Sequence, residues 1–196
     1  MIPIFVDQSG GDKLATFDLP FYGFERDWND LKSNCPYTYN IALDLKAETP
    51  SLCIALNDKT YTTASARESK YCEDLWKGNV LELFIANQGS PAYEEIHLAP
   101  DGAWWAQAFS DYRQRADNDR SLTNPGVVTV EIWTQVILMA IPLRVLKTNF
   151  SDLDRLLINV TCMSDGKYFS AASFRCDPPD FHRRENLEAP KIIRLS

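Results

Sequence analysis

Residues 76–113 read WKGNVLELFIANQGSPAYEEIHLAPDGAWWAQAFSDYR, and their pattern decides the fold class. Three apolar or alternating runs, 80–86, 93–99 and 103–113, are separated by breaks at 87–91 and 100–102. Runs this short, bounded by Gly, Pro, Asn and Asp, are expected to be antiparallel strands joined by hairpins. Pro100-Asp101-Gly102 is a turn, since Pro presets φ at the first corner and Gly accepts a positive φ.

Successive side chains on a strand point to opposite faces, so the runs also sort their residues. Leu81, Leu83 and Ile85 share one face with Ile96 and Leu98, while Glu82, Phe84, Glu95 and His97 take the other. With the apolar sets turned to the core, Glu82, Glu95 and His97 fall on a common outer face. Cross-strand neighbours there stand about 5 Å apart at Cβ. A carboxylate pair with a histidine is therefore expected, edged by Trp76 and by Trp104 or Trp105. Those two tryptophans must face opposite ways, and the pattern leaves open which meets the site. Strict alternation turns Glu94 inward with Ile96, a conflict that a β-bulge would relieve. Arg113, at the end of the third run, suits a bidentate pair with a carboxylate.

Several of these residues carry a family resemblance. Trp76 followed by Glu82 in Leu-Glu-Leu-Phe, then Tyr-Glu-Glu-Ile-His-Leu-Ala-Pro-Asp-Gly-Ala-Trp and the closing Tyr112-Arg113, resembles the family 9 carbohydrate-binding modules and their DOMON-like relatives. Phe181-His182 is similar to a Phe-His near that family's C-terminal strand. The resemblance implies a β-sandwich of immunoglobulin or jelly-roll type, with tryptophans clamping a sugar and polar side chains bonding its hydroxyls. By position it assigns Trp76 to a clamp and Glu82 to a polar contact, and it makes His182 a binding candidate. Two positions depart from the pattern. Glu95 stands where sugar binders carry a basic residue, and Phe174, Phe181 and His182 are the nearest substitutes for a second clamping tryptophan.

Composition narrows the classes. The chain has 196 residues, 45% hydrophobic and 24% charged, which fits one soluble globular domain over 1–196. A net charge of −7 argues against a nucleic-acid partner, whose phosphates need clustered Lys and Arg. Five cysteines without Cys-x-x-Cys spacing make neither a disulfide framework nor a zinc site, and reduced thiols are expected. The start, Met1-Ile-Pro-Ile-Phe-Val-Asp-Gln, has neither the basic residues nor the apolar run of a signal peptide, and no stretch approaches a membrane span. The expectation is a cytoplasmic protein, without a membrane partner, its oligomeric state left open. No phosphate loop, nucleophile elbow or His-Glu-x-x-His motif is present. No metal ligand set or cofactor is expected. Only two histidines are available, the methionines match no haem pattern, and the acidic residues form no compact calcium loop.

The flanking sequence extends the same pattern. Strands are expected at 1–7, 14–18, 37–46, 51–57, 127–133, 135–141, 156–163, 167–174 and 191–195, with Asp165-Gly166 a tight hairpin turn. So many short strands with frequent turns point to an all-β, antiparallel β-sandwich with short helical turns. The expected function is non-catalytic binding of a small saccharide by Trp76, Glu82, Glu95, His97, Trp105, Arg113 and His182. Two alternatives stand beside it. A hydrolytic or small-molecule-binding domain would use the Glu/Glu/His cluster. An interaction scaffold would have Phe84 or Tyr93 filling the pocket.

Overall fold

Two β-sheets packed face to face form the computed structural model, which describes residues 1–8, 18–62, 67–116, 122, 124, 126–173 and 176–195. The first sheet has six strands in the order β13 (Lys191–Leu195), β1 (Pro3–Asp7), β2 (Tyr37–Asp44), β3 (Ser51–Asp58), β10 (Val136–Pro142) and β9 (Thr129–Ile132). The second has seven. Its order is β12 (Lys167–Ser170), β11 (Leu156–Ser164), β5 (Val80–Asn87), β6 (Tyr93–Leu98), β7 (Ala103–Asp111) and β4 (Lys70–Tyr71), with β8 (Gln114–Arg115) also paired to β7. This is the expected β-sandwich, with one difference: the sheets are mixed. β1 runs parallel to both β13 and β2, and β4 runs parallel to β7. Hairpin turns can be seen in a sequence, but pairings between chain ends and distant strands leave no local signal.

The core lies between the sheets. Ile4, Ile41, Leu43, Leu52, Ile54 and Met139 from the first meet Leu81, Leu83, Ile85, Ile96, Leu98 and Trp104 from the second. Every second residue of β5 and β6 thus faces inward, as alternation requires. Burying each large apolar side chain contributes about 1.5–3 kcal/mol. Trp104 belongs to this layer, edge-on to Tyr71 at 5.2 Å. Trp105 therefore faces the other way.

Turn chemistry fixes the registers. Gly102 has φ of 90°, and a Cβ there would stand 2.7 Å from Ile132 Cδ1 and 2.9 Å from Glu68 O, so no other residue fits. Asp165 and Gly166 both take positive φ, the geometry of the tightest hairpins. The third run is shorter than expected. β7 ends at Asp111, and Tyr112-Arg113 forms the turn into β8, with Arg113 itself at φ 53°. Strand β12 likewise stops at Ser170. The strand expected at 14–18 lies almost wholly outside the described residues.

Glu94 does point into the core side, and no bulge rescues it: β5, β6 and β7 pair without interruption through that position. Its carboxylate instead accepts the backbone N–H groups of Lys147 and Thr148 and the Thr148 hydroxyl. A charged side chain among apolar neighbours is tolerable because the loop after β10 supplies its donors. Thr148→Val, nearly the same shape without the hydroxyl, should cost about 1–3 kcal/mol by leaving a buried carboxylate oxygen short of a donor, read as a lower urea midpoint.

Candidate functional site

The outer face of the second sheet is built in rows of cross-strand neighbours. One row runs Thr161, Glu82, His97, Trp105, and the next runs Asn159, Phe84, Glu95, Gln107. A third joins Tyr93 to Phe109, whose rings stack at 4.7 Å. Glu82, Glu95 and His97 come together as the alternation predicts. The face is not open to water, however. Glu82 is 4% exposed, Glu95 5% and His97 1%.

The cover is the segment 176–190. Phe181 and Leu187 pack on the apolar patch of Phe84, Tyr93, Trp105 and Phe109, and Phe181 meets Trp28 edge-on at 5.0 Å. Asp180 pins the segment: it takes Arg113 Nη2 at 2.9 Å, the Tyr112 hydroxyl at 2.5 Å and the His182 backbone N–H at 3.2 Å. Arg113 therefore has a carboxylate partner, Asp180, but the pair is not the bidentate one expected: Nη2 alone reaches the carboxylate, and Nε donates to the Tyr112 hydroxyl at 3.3 Å. The cover is not complete, and a cavity of about 500 Å³ remains beneath it.

Six of the seven expected residues line this cavity: Trp76, Glu82, Glu95, Trp105, Arg113 and His182. Trp76 sits on a single helical turn, Leu75–Lys77, and is 54% exposed, a ring offered at the rim. Trp105 is a wall residue, packed on the His97 ring at 4.8 Å with the Arg115 guanidinium 5.5 Å from its centroid. His97 lies behind the lining. Phe84 and Phe181 also border the space without filling it, as do Tyr168, Pro178 and Pro179. The sequence did not single out Asp180, Arg115 or Tyr168. Asp180 follows Pro178-Pro179, a loop signal but not a site signal. Phe174, one of the substitutes considered for a second clamp, lies outside the described residues.

Hydrogen bonds tie the polar floor together. His97 Nε2 is 2.8 Å from Glu95 Oε1 and 3.3 Å from Glu82 Oε1, and Thr161 donates to Glu82 Oε2 at 2.8 Å. Burial raises the Glu82 pKa, with His97 and the Thr161 bond pulling the other way. Burial also opposes the His97 imidazolium, but the charge of Glu82 and the bond to Glu95 outweigh it and hold His97 above its usual value. His182 is shifted down, chiefly by burial.

Glu82, Glu95 and His97 also form a set that could hold a cation, with one ligand atom from each within 4.8 Å of the others. They fit a metal poorly. A ligating histidine is ordinarily oriented by a hydrogen bond from its second ring nitrogen, and buried His97 Nδ1 has no hydrogen-bond partner among the described residues. The spacing of the carboxylates also invites comparison with a retaining glycosidase, whose pair stands about 5 Å apart across the scissile bond. Here His97 Nε2 hydrogen-bonds to Glu95 Oε1 and stands 3.3 Å from Glu82 Oε1, so the imidazole sits between the two carboxylates in the floor.

No family model and no curated protein matches the sequence. A solved structure from Bacteroides uniformis, a candidate carbohydrate-binding protein, is similar with a TM-score of 0.64, covering 98% of this chain and 99% of that one at 13% identity. At that identity the likeness is one of fold.

The shifts set a sign for pH dependence. Glu82 and His97 both keep their protons to higher pH when folded than the ordinary values of 4.5 and 6.5. At these two groups the native state binds more protons than the unfolded chain, and the stability they contribute falls as pH rises through this window, while His182, shifted the other way, opposes part of the decline. Glu82→Gln should flatten the decline. Urea midpoints of parent and variant between about pH 5 and about pH 8 would show it, and parallel profiles would count against it.

Proposed function

We propose that the cavity recognises a small saccharide without transforming it. The observation that carries this is the combination in one cavity of about 500 Å³ of an exposed indole at the rim and buried carboxylates in the floor. Sugars present flat C–H faces and rings of hydroxyls, so a site needs an apolar plate and fixed polar atoms. Trp76 supplies the plate. Glu95 and His182 supply polar atoms facing the cavity, and Arg113 and Arg115 stand at its edge. The similarity of residues 72–113 to family 9 carbohydrate-binding modules supports the same reading, as does the fold shared with the Bacteroides uniformis protein. An open cavity beside Phe84, with Tyr93 outside its lining, favours a ligand site over a scaffold whose rings fill that space.

Tryptophan fluorescence titrated with mono- and disaccharides tests the proposal. At least one sugar should give a saturable change, and Trp76→Ala should weaken its binding by roughly tenfold or more. Isothermal calorimetry separates that loss from the removal of a reporter ring. If no sugar binds the parent protein by either method, the proposal fails.

A further inference from the structure

The two expected carboxylates are not equivalent. Glu82 is occupied within the protein, with Oε2 on the Thr161 hydroxyl and Oε1 facing His97 Nε2. Glu95 commits only Oε1, to His97. Its Oε2 makes no hydrogen bond among the described residues, and His182 Nε2 stands 3.8 Å away, too far to bond.

Which nitrogen of His182 carries the proton follows from Tyr93. The Tyr93 oxygen accepts the Arg113 backbone N–H at 3.3 Å, and its hydroxyl lies 2.7 Å from His182 Nδ1. With Tyr93 held protonated and His182 neutral by burial, we assign the hydroxyl as the donor to Nδ1. The imidazole proton therefore sits on Nε2. Edge contacts with Phe84 at 5.5 Å and Phe109 at 5.4 Å hold the ring in place, and the His182 backbone N–H is anchored on Asp180.

We propose that Glu95 Oε2 and His182 Nε2–H form an acceptor–donor pair that reads two adjacent hydroxyls of a neutral pyranose. One hydroxyl donates to Glu95, and its neighbour accepts from His182. This rests on the saccharide reading above and adds its ligand class. The paired oxygens of a vicinal diol can face a donor and an acceptor held 3.8 Å apart without either ring moving. A uronate or sugar phosphate would bring its charge against Glu95. A sugar lacking either hydroxyl would leave a buried polar atom unpaired, the situation in which sites discriminate most strongly.

The test is calorimetric. The probe is the neutral methyl pyranoside that binds best in the panel, compared with its monodeoxy analogues and the corresponding uronate. In the parent, removing either of two adjacent hydroxyls should weaken binding roughly tenfold or more, and the uronate should bind more weakly than the neutral sugar. His182→Phe keeps an aromatic ring among Phe84, Tyr93 and Phe109 but has no N–H. It should lose a similar factor on the full sugar and become indifferent to the hydroxyl that His182 reads. Glu95→Met, of similar length but without a hydrogen-bonding head group, provides the same comparison at the neighbouring hydroxyl if His182→Phe does not fold. Unchanged affinity in the folded variant, a deoxy penalty it retains at every hydroxyl, or tighter binding of the uronate would overturn the pair. If Trp76→Ala abolishes binding that His182→Phe leaves intact, the pair falls and the saccharide site stands. If the parent binds no neutral sugar, both fall.

Discussion

The seven-stranded sheet is buried on both faces, and most of what is distinctive in this protein follows from that. Its inner face meets the other sheet in the ordinary way. Its outer face is covered by 176–190, a segment with a single short helical turn held down by Asp180 and by Phe181 and Leu187. Without that cover, Glu82, Glu95 and His97 would be solvated side chains of a half-exposed sheet, as charged residues on an outer face usually are. Beneath it they must satisfy one another. A buried carboxylate is tolerated only when paired or hydrogen-bonded, and the cross-strand row Thr161–Glu82–His97 supplies those partners from adjacent strands.

The satisfaction is incomplete in two places. His97 Nδ1 is buried without a partner among the described residues, and Glu95 Oε2 faces the cavity without a hydrogen bond from them. The first is an internal cost, carried beside the Trp105 ring. The second opens on space that a ligand can enter. Stability alone would favour closing such gaps, and departures from full polar satisfaction gather at functional sites. Glu94 shows how the same chain treats a carboxylate whose role is purely structural, surrounding it with three donors from Lys147 and Thr148.

Much of the fold could be read from side-chain alternation. A period of two assigned Leu81, Leu83 and Ile85 inward and put Glu82, Glu95 and His97 together, and hairpin turns at Gly102 and Gly166 held the registers that alternation assumed. The same period required Trp104 and Trp105 to diverge, and only the packing against Tyr71 showed which was core. What the pattern could not carry was coverage. Asp180 reaches Arg113 across 67 residues of chain, and no periodicity in either segment marks the other as its partner. The Glu/Glu/His cluster is buried by the segment 176–190, far along the chain from it and pinned by this contact and by Phe181 and Leu187, so local sequence could not show that the outer face was covered. Parallel pairing of β1 with β13 escaped for the same reason.

The segment that closes the outer face also carries His182 into the cavity, so the contacts that cover the sheet also position a cavity-lining imidazole. Asp180 anchors Arg113 and Tyr112 through its carboxylate and the His182 backbone through the same group. Tyr93 in turn links the hairpin at Arg113 to the imidazole. The position of His182 is thus a consequence of how the sheet is covered, set before any ligand arrives. Preorganisation of this kind reduces the ordering cost of binding. On the proposed saccharide reading, specificity would lie in the floor, where the groups are held on adjacent strands and a pinned loop. Trp76, on its exposed helical turn, contributes surface rather than direction. The contacts divide the cavity into an exposed apolar rim at Trp76 and a rigid polar floor at Glu82, Glu95 and His182.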